Sequence, residues 1–191
     1  MNETLQIRTF KKSGHIEVVC GSMFSGKTEE LIRRIRRAEI GKQRVKVFKP
    51  MIDTRYSDME IVSHSEVSYP SEMIQNADEI LEKSFDYEVI GIDEAQFFDE
   101  NIVTVCQQLA DSGKRVIVAG LDQDYRAQPF EPMPKLLAIA EYITKAMAIC
   151  VICGAPANRT QRNTVTSERV LVGAKDHYEA RCRLHHTIPN E

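Results

Sequence analysis

Two rhythms of apolar and polar residues run along this chain. Short unbroken apolar runs read as strands buried on both faces, and between them lie stretches with apolar residues three and four apart, the helical repeat. Ile16 to Cys20, Val45 to Phe48, the apolar start of Tyr87 to Phe98, and Val116 to Ala119 are runs of the first kind. After the first run, Leu31, Ile32, Ile35 and Ala38 fall on one arc of a helical wheel, with Arg33, Arg34 and Arg37 opposite and Arg36 at the flank. Gly41 reads as the stop of this helix, and Gly113 as the stop of another over Asn101 to Asp111. Ser71 to Lys83 carries Met73, Ile74, Ala77, Ile80 and Leu81 at helical spacing behind Ser71 as N-cap, and Ile61 to His64 reads as a short strand. Pro50 closes the second long strand, and Asp53-Thr54-Arg55-Tyr56 reads as a loop beyond its end. Alternating strands and helices predict parallel pairing with right-handed crossovers, hence an α/β fold with helices on both faces of the sheet. In such sheets ligands bind beyond the strand C-termini.

Length and composition narrow the picture. A chain of 191 residues, 42% hydrophobic, supports one sizeable core with a small extension. The expected division is a nucleotide-binding unit over 1–149 and a C-terminal unit over 150–191. A formal net charge of −3 argues against a strong nonspecific grip on nucleic acid or an anionic membrane. No apolar run approaches the roughly 18 residues of a membrane span, and the first residues carry no apolar targeting core, so a cytoplasmic protein is expected. Five cysteines without a secretion signal suggest thiols and metal ligands more than disulfides. The four arginines of the first helix read either as a solvated or subunit-contacting face, the commoner outcome, or as a phosphate patch.

Candidate chemistry concentrates at three places. The stretch HIEVVCGSMFSGKT, His15 to Thr28, matches the P-loop pattern G-x-x-x-x-G-K-[ST] between a strand and a helix. Backbone N–H groups and the helix N-terminus there converge on a phosphate chain. Lys27 would reach the β and γ phosphates, Thr28 would ligate Mg²⁺, and Gly21 and Gly26 would supply backbone conformations that a Cβ obstructs. The buried strand ending in Asp93-Glu94 is a Walker B pattern, with Asp93 on the metal shell. Glu94 is the proton acceptor expected of a kinase acting on an alcohol. A water-activating role, as in motor ATPases, or support of Asp93 are the other readings. Cys150-x-x-Cys153 and Cys182-x-x-His185 form two paired clusters that suit a closed structural Zn²⁺ site; incidental buried thiols are the bland reading, and His186 is the alternative to His185. Residues 154–181 between the clusters have little periodicity and a positive balance, and read as a long loop pinned at both ends, a lid. Val170 to Lys175 could offer backbone groups to a base, and Tyr178 either anchors the lid or closes over a ligand.

These residues carry a resemblance. GSMFSGKT, Asp53-Thr54-Arg55, IDEAQFF, GLDQDY from Gly120 to Tyr125, and the Cys150/Cys153/Cys182/His185 set with VGAKDHYEARC resemble, in order, thymidine kinases of the cellular, zinc-containing type. The resemblance implies a RecA-like P-loop NTPase sheet with a zinc-stapled lasso or lid. It also implies ATP-dependent phosphorylation of the 5′-hydroxyl of thymidine, or deoxyuridine, in deoxynucleoside salvage. Carried over, Gly21, Ser22, Met23, Phe24, Ser25, Gly26, Lys27 and Thr28 would bind ATP, with Asp53, Thr54, Arg55, Asp93, Ala95 and Gln96. Thr28 and Asp93 would serve Mg²⁺ and Glu94 would be the base. Met23, Phe97, Leu121 and Tyr125 would line the apolar pocket. The main chain of Arg169, Val170, Leu171, Val172 and Gly173 would read the base, with Tyr178 closing over it. Ala174 and Lys175-Asp176-His177 depart from the pattern of close relatives. A homotetramer inhibited by thymidine triphosphate is also implied, with no nucleic-acid or membrane partner. A RecA-like ATPase acting on nucleic acid, or a noncatalytic zinc module, are the competing classes.

Overall fold

A computed structural model describes residues 13–52, 60–62, 68–163 and 177–188. Along the chain run β1 (His15–Gly21), α1 (Lys27–Ile40), β2 (Val45–Pro50), β3 (Glu60–Val62), β4 (Ser68–Pro70), β5 (Glu72–Ile74), α2 (Asp78–Lys83) and β6 (Val89–Ile92). A 3₁₀ turn over Ala95–Phe97 leads to α3 (Asn101–Asp111), β7 (Arg115–Gly120), α4 (Met133–Ile139) and β8 (Tyr142–Ala146). Six strands make one sheet in the order β5-β2-β6-β7-β1-β8, every pairing parallel.

Alternation within the strands makes the layers. Successive side chains point to opposite faces. Ile16, Val18 and Cys20 of β1 and Val116 and Val118 of β7 pack with Ile102, Val105, Cys106 and Leu109 of α3 and Met133 and Leu136 of α4. Val19, Ile117 and Ala119 face the other way and meet Leu31, Ile32, Ile35 and Ala38 of α1. Each such buried aliphatic side chain contributes about 1.5–3 kcal/mol, so the sheet is covered on both faces, as the sequence pattern predicts. The arginines opposite that apolar arc meet carboxylates of their own chain: Arg33 and Arg34 bind Glu30, and Arg34 also reaches Glu17 at 2.7 Å.

The structure corrects several boundaries. Ser71–Lys83 is not one helix. Glu72–Ile74 pairs in parallel with β2, and this ladder satisfies backbone groups that a helix would have withdrawn from the β2 edge. Helix α2 starts later, behind a reciprocal cap in which Glu79 N–H donates to Asn76 Oδ1 at 3.3 Å and Asn76 N–H to Glu79 Oε1 at 3.2 Å. The left-handed residue ending α1 is Lys42 (φ 61), not Gly41 (φ −73). Lys42 N–H donates to Glu39 O at 2.8 Å and Gln43 N–H to Ala38 O at 3.1 Å, the two bonds of a Schellman motif. Gly113 (φ 92) ends α3 as predicted. The short strand expected over Ile61 to His64 runs over Glu60–Val62, antiparallel to β4, and His64 lies outside the described residues. Helix α4 and strand β8 have no counterpart in the sequence reading. Strand β8 is a sheet edge with Tyr142 and Ile143 exposed, so its mixed pattern does not resemble a buried run.

Past β8, β9 (Ala148–Ile149) pairs antiparallel with β10 (Pro156–Ala157), and β11 (Arg159–Arg162) with β12 (Tyr178–Arg181). The sequence predicts a loop without a core here. Instead Ala148, Cys150, Ala157, Ala180 and Cys182 form a small cluster with Phe24 packed against it. All four residues of β11 are buried although none is apolar. Among the described residues no helix is long and apolar enough to cross a membrane.

Candidate active site

The loop after β1 is shaped by two glycines and a strained turn. Gly21 sits at φ 147, and a Cβ there would stand 2.3 Å from Ala146 O of β8, so only glycine lets β1 enter the loop beside its neighbour. Phe24 (φ 64) and Gly26 (φ 80) then turn the chain so that α1 begins at Lys27 with its N–H groups facing the loop. Lys27 is buried and donates from Nζ to Ser22 O at 2.8 Å; the Ser25 hydroxyl donates to the same carbonyl at 2.8 Å. A ring of N–H groups, a helix N-terminus and a buried ammonium together favour an anion. The Thr28 hydroxyl donates to Asp93 Oδ2 at 3.2 Å, which joins the first turn of α1 to the end of β6.

Beyond β6 the chain turns sharply. Glu94 is left-handed (φ 52, ψ 42), a conformation that costs a residue with a Cβ about 1–2 kcal/mol. Its N–H donates to Asp93 Oδ1 at 3.0 Å. The turn brings Glu94 to the phosphate loop: Met23 to Glu29, Glu94 and Leu121 line one pocket of about 30 Å³. Ala95 is fully buried in the core under α3. Gln96 is buried too, and donates from Nε2 to Glu94 Oε2 at 2.5 Å while its Oε1 accepts the Leu121 N–H at 2.9 Å. A wider groove of about 1020 Å³ lies between α1 and β8, lined by Arg33, Arg34, Arg37, Arg115, Tyr142 and Ile143 among others, and no phosphate-loop residue borders it.

The aromatic residues expected at the acceptor side gather in two places. Phe97 meets Phe130 edge to face, with ring centroids 6.2 Å apart. Tyr125 and Tyr178 are both buried and joined by Arg162, whose guanidinium lies 3.7 Å from the Tyr125 ring centroid and donates from Nη2 to the Tyr178 hydroxyl at 2.9 Å. Sequence reasoning missed this arginine, since Arg-Thr-Gln-Arg shows no apolar spacing and reads as solvated. It missed the seam between the β10–β11 segment and the phosphate loop for the same reason. There Met23 N–H donates to Thr160 Oγ1 at 3.1 Å, and the Ser22 hydroxyl to Ala157 O at 3.4 Å. His186 Nε2 lies 2.9 Å from Tyr125 O, and Thr187 N–H donates to Gln161 Oε1 at 2.8 Å. Asp53, Thr54 and Arg55, and Arg169 to Gly173, lie outside the described residues.

Cys150, Cys153, Cys182 and His185 converge, with their ligand atoms all within 4.8 Å of one another. Cys153 Sγ to Cys182 Sγ is 3.8 Å, Cys150 Sγ to His185 Nδ1 3.8 Å, and Cys182 Sγ to His185 Nδ1 3.3 Å. Zinc bonds of about 2.3 Å to sulfur and about 2.0 Å to nitrogen make a tetrahedron with edges near these lengths, so the donor set fits the ion. Burial opposes ionisation of Cys150, but the backbone N–H groups of Cys182, Ile152 and Cys153 overcome it and lower the thiol to about 6, toward the thiolate a metal needs. His186 is turned to Tyr125, and His185 is the histidine that joins the three cysteines. Cys20 and Cys106 belong to the core; burial pushes their thiols up to about 11 and about 12.

Comparison with known proteins agrees with this arrangement. A profile of the family described as thymidine kinase matches residues 14–186. A thymidine kinase of Rhodothermus sp. (strain ITI 518) is 59% identical over 181 residues, 95% of this chain and 85% of that one. Another, from Bdellovibrio bacteriovorus, is 57% identical over 174 residues, 90% of this chain and 85% of that one. Among solved structures, the X-ray structure of the Legionella pneumophila ATPase DotB is similar with a TM-score of 0.45 and 13% identity, over 75% of this chain and 43% of that one, a likeness too slight to bear on the chemistry. The profile spans the phosphate loop, the Asp93-Glu94 turn and the metal-ligand set alike, and the chain belongs to the thymidine kinase family.

Proposed function

We propose that this chain transfers the γ-phosphoryl group of ATP to the 5′-hydroxyl of thymidine, and of deoxyuridine, giving the monophosphate in deoxynucleoside salvage. The observation that carries the reading is one pocket lined by Lys27, Thr28 and Glu94 together, because it sets a phosphate-loop lysine and a carboxylate on the same space. Family membership supplies the nucleoside. In this reading the loop Gly21 to Thr28 cradles the phosphates, and Lys27 Nζ exchanges Ser22 O for β and γ oxygens. Thr28 and Asp93 hold Mg²⁺, which neutralises phosphate charge when bound. The 5′-oxygen forms the new bond to phosphorus as the bond to the bridging oxygen breaks; ADP leaves, and the hydroxyl proton passes to Glu94.

Asp53, Thr54 and Arg55 complete the ATP side with the Ala95–Gln96 backbone. Met23, Phe97, Leu121 and Tyr125 form the apolar wall, and the main chain of Arg169 to Gly173 reads the base with Tyr178 over it. Residues 1–149 thus act as the ATP unit and 150–191 as a lid whose structural zinc sits on Cys150, Cys153, Cys182 and His185. A cytoplasmic homotetramer inhibited by thymidine triphosphate belongs to the same proposal and rests on the family resemblance; the exposed Tyr142 and Ile143 on edge strand β8 support self-association. The test is transfer of labelled γ-phosphate from ATP to a panel of nucleosides with water as control acceptor. Label on thymidine far above released phosphate is the expected result. Release to water alone, or turnover that needs DNA or RNA, overturns the proposal.

A further inference from the structure

We infer that Gln96 is the positioning residue for Glu94, a buried strut that ties the proton-accepting carboxylate to the end of β7. The inference rests on the reading of Glu94 as general base. A glutamate has three side-chain torsions, so the placement of its carboxylate at the rim of a pocket is set by the partners it meets. Here the backbone turn sets the direction and the Gln96 amide holds Oε2 at 2.5 Å.

The far end of the amide is fixed as well. Gln96 Oε1 accepts the N–H of Leu121, the residue that follows β7 and lines the same pocket as Glu94. With the carboxylate at one end and an N–H at the other, only one orientation of the amide satisfies both, because the flipped one would set oxygen against oxygen and N–H against N–H. Gln96 is 3% exposed, so its amide depends on these two partners for its hydrogen bonds. The sheet makes room for it: a Cβ on Gly120 would stand 2.8 Å from Gln96 Oε1 and 2.7 Å from Met133 Sδ. Two sequence features, a glutamine two residues past the base and a glycine ending β7, therefore serve one contact. Neither neighbour of glutamine in chemistry can replace it. Asparagine, a methylene shorter, cannot span both partners, and glutamate keeps the bond from Leu121 but sets a second carboxylate against Glu94.

The experiment compares Gln96→Met and Gln96→Glu with the unaltered protein and with Glu94→Gln, measuring kcat, KM for thymidine and for ATP, and thermal unfolding. For Gln96→Met, kcat falls about 10- to 100-fold with both KM values within about threefold, since a misplaced base slows the chemical step and leaves ground-state binding intact. Gln96→Glu keeps the bond from Leu121 and loses the donor to Glu94, so its kcat falls by a similar factor, again with both KM values little changed. A merely structural role would raise both KM values along with the loss of thermal stability. Unaltered kcat in either folded variant, or a loss confined to KM for ATP, overturns the inference. Should Gln96→Met fail to fold, the kcat-against-KM split in Gln96→Glu decides. Full turnover in Glu94→Gln instead removes the base reading itself, which is a separate outcome.

Discussion

Glu94 adopts a backbone conformation that favours glycine, and its surroundings show which residues a sequence can reveal. The places of Lys27, Thr28 and Asp93 are legible because they are fixed by spacing to a strand end or a helix start, and spacing is written in the chain. Gln96 and Arg162 are not, because each acts through partners delivered by other strands: Leu121 for the first, Tyr125 and Tyr178 for the second. No apolar periodicity announces a buried arginine. At this scale the sharpest prediction concerns Glu94→Gln, which keeps shape and removes the proposed proton acceptor. Turnover should fall by about 10²- to 10⁴-fold, while ATP and thymidine still bind by calorimetry. Unchanged turnover would sink the assignment of the base.

Among the elements, α1 follows from its apolar arc almost to its ends, and the structure departs from the expectation at its C-terminus. A glycine near a helix stop suggests the left-handed position, yet the hydrogen bonds put Lys42 there, one residue on. Lys42→Gly should therefore raise stability by about 1 kcal/mol, seen as a higher urea midpoint with unchanged slope; a lower midpoint would contradict the Schellman assignment. The segment Ser71–Lys83 differs from the helix its spacing predicts because adjacent Met73 and Ile74 fit a helical arc and a short apolar strand equally well, and only the edge of β2 decides between them. The first turn of α1 gives a pH test. Bonds from Arg33, opposed by partial burial and helped by Arg34, lower the Glu30 carboxyl from an ordinary 4.5 to about 2. Because the folded value lies below the unfolded one, the stabilisation is complete above about pH 4.5 and is lost as pH falls toward about 2. Glu30→Gln should thus cost at most about 1 kcal/mol near pH 7, and that difference should shrink in urea titrations at pH 3.

Across the whole molecule, parallel pairing puts the C-terminal ends of β1, β6 and β7 side by side, so that the phosphate loop, Asp93-Glu94 and Leu121 meet although the sequence scatters them. That part of the architecture follows from strand and helix alternation alone. How the C-terminal unit attaches does not, because its contacts are polar and long-range. Thr160 and Ala157 bond directly to Met23 and Ser22, Phe24 packs on the cluster around Cys150 and Cys182, and His186 reaches Tyr125 next to the ligand His185. A lid held only at its metal would affect the nucleoside alone; one seated on the phosphate loop affects both substrates, in unequal measure. Cys153→Ser removes one of four donors, so metal content should fall below one ion per chain. Thymidine affinity should drop about tenfold or more, since the proposed lid carries Tyr178 in β12 and its His186 reaches Tyr125. ATP affinity should drop too, by a smaller factor, because Ser22, Met23 and Phe24 of the loop lose partners while Lys27, Thr28 and Asp93 keep their own. Calorimetric titration of both ligands, with metal analysis of the same samples, separates the cases: untouched ATP binding would mean the seam is not mechanically coupled to the metal, and equal loss of both ligands would mean that the sheet itself had come apart.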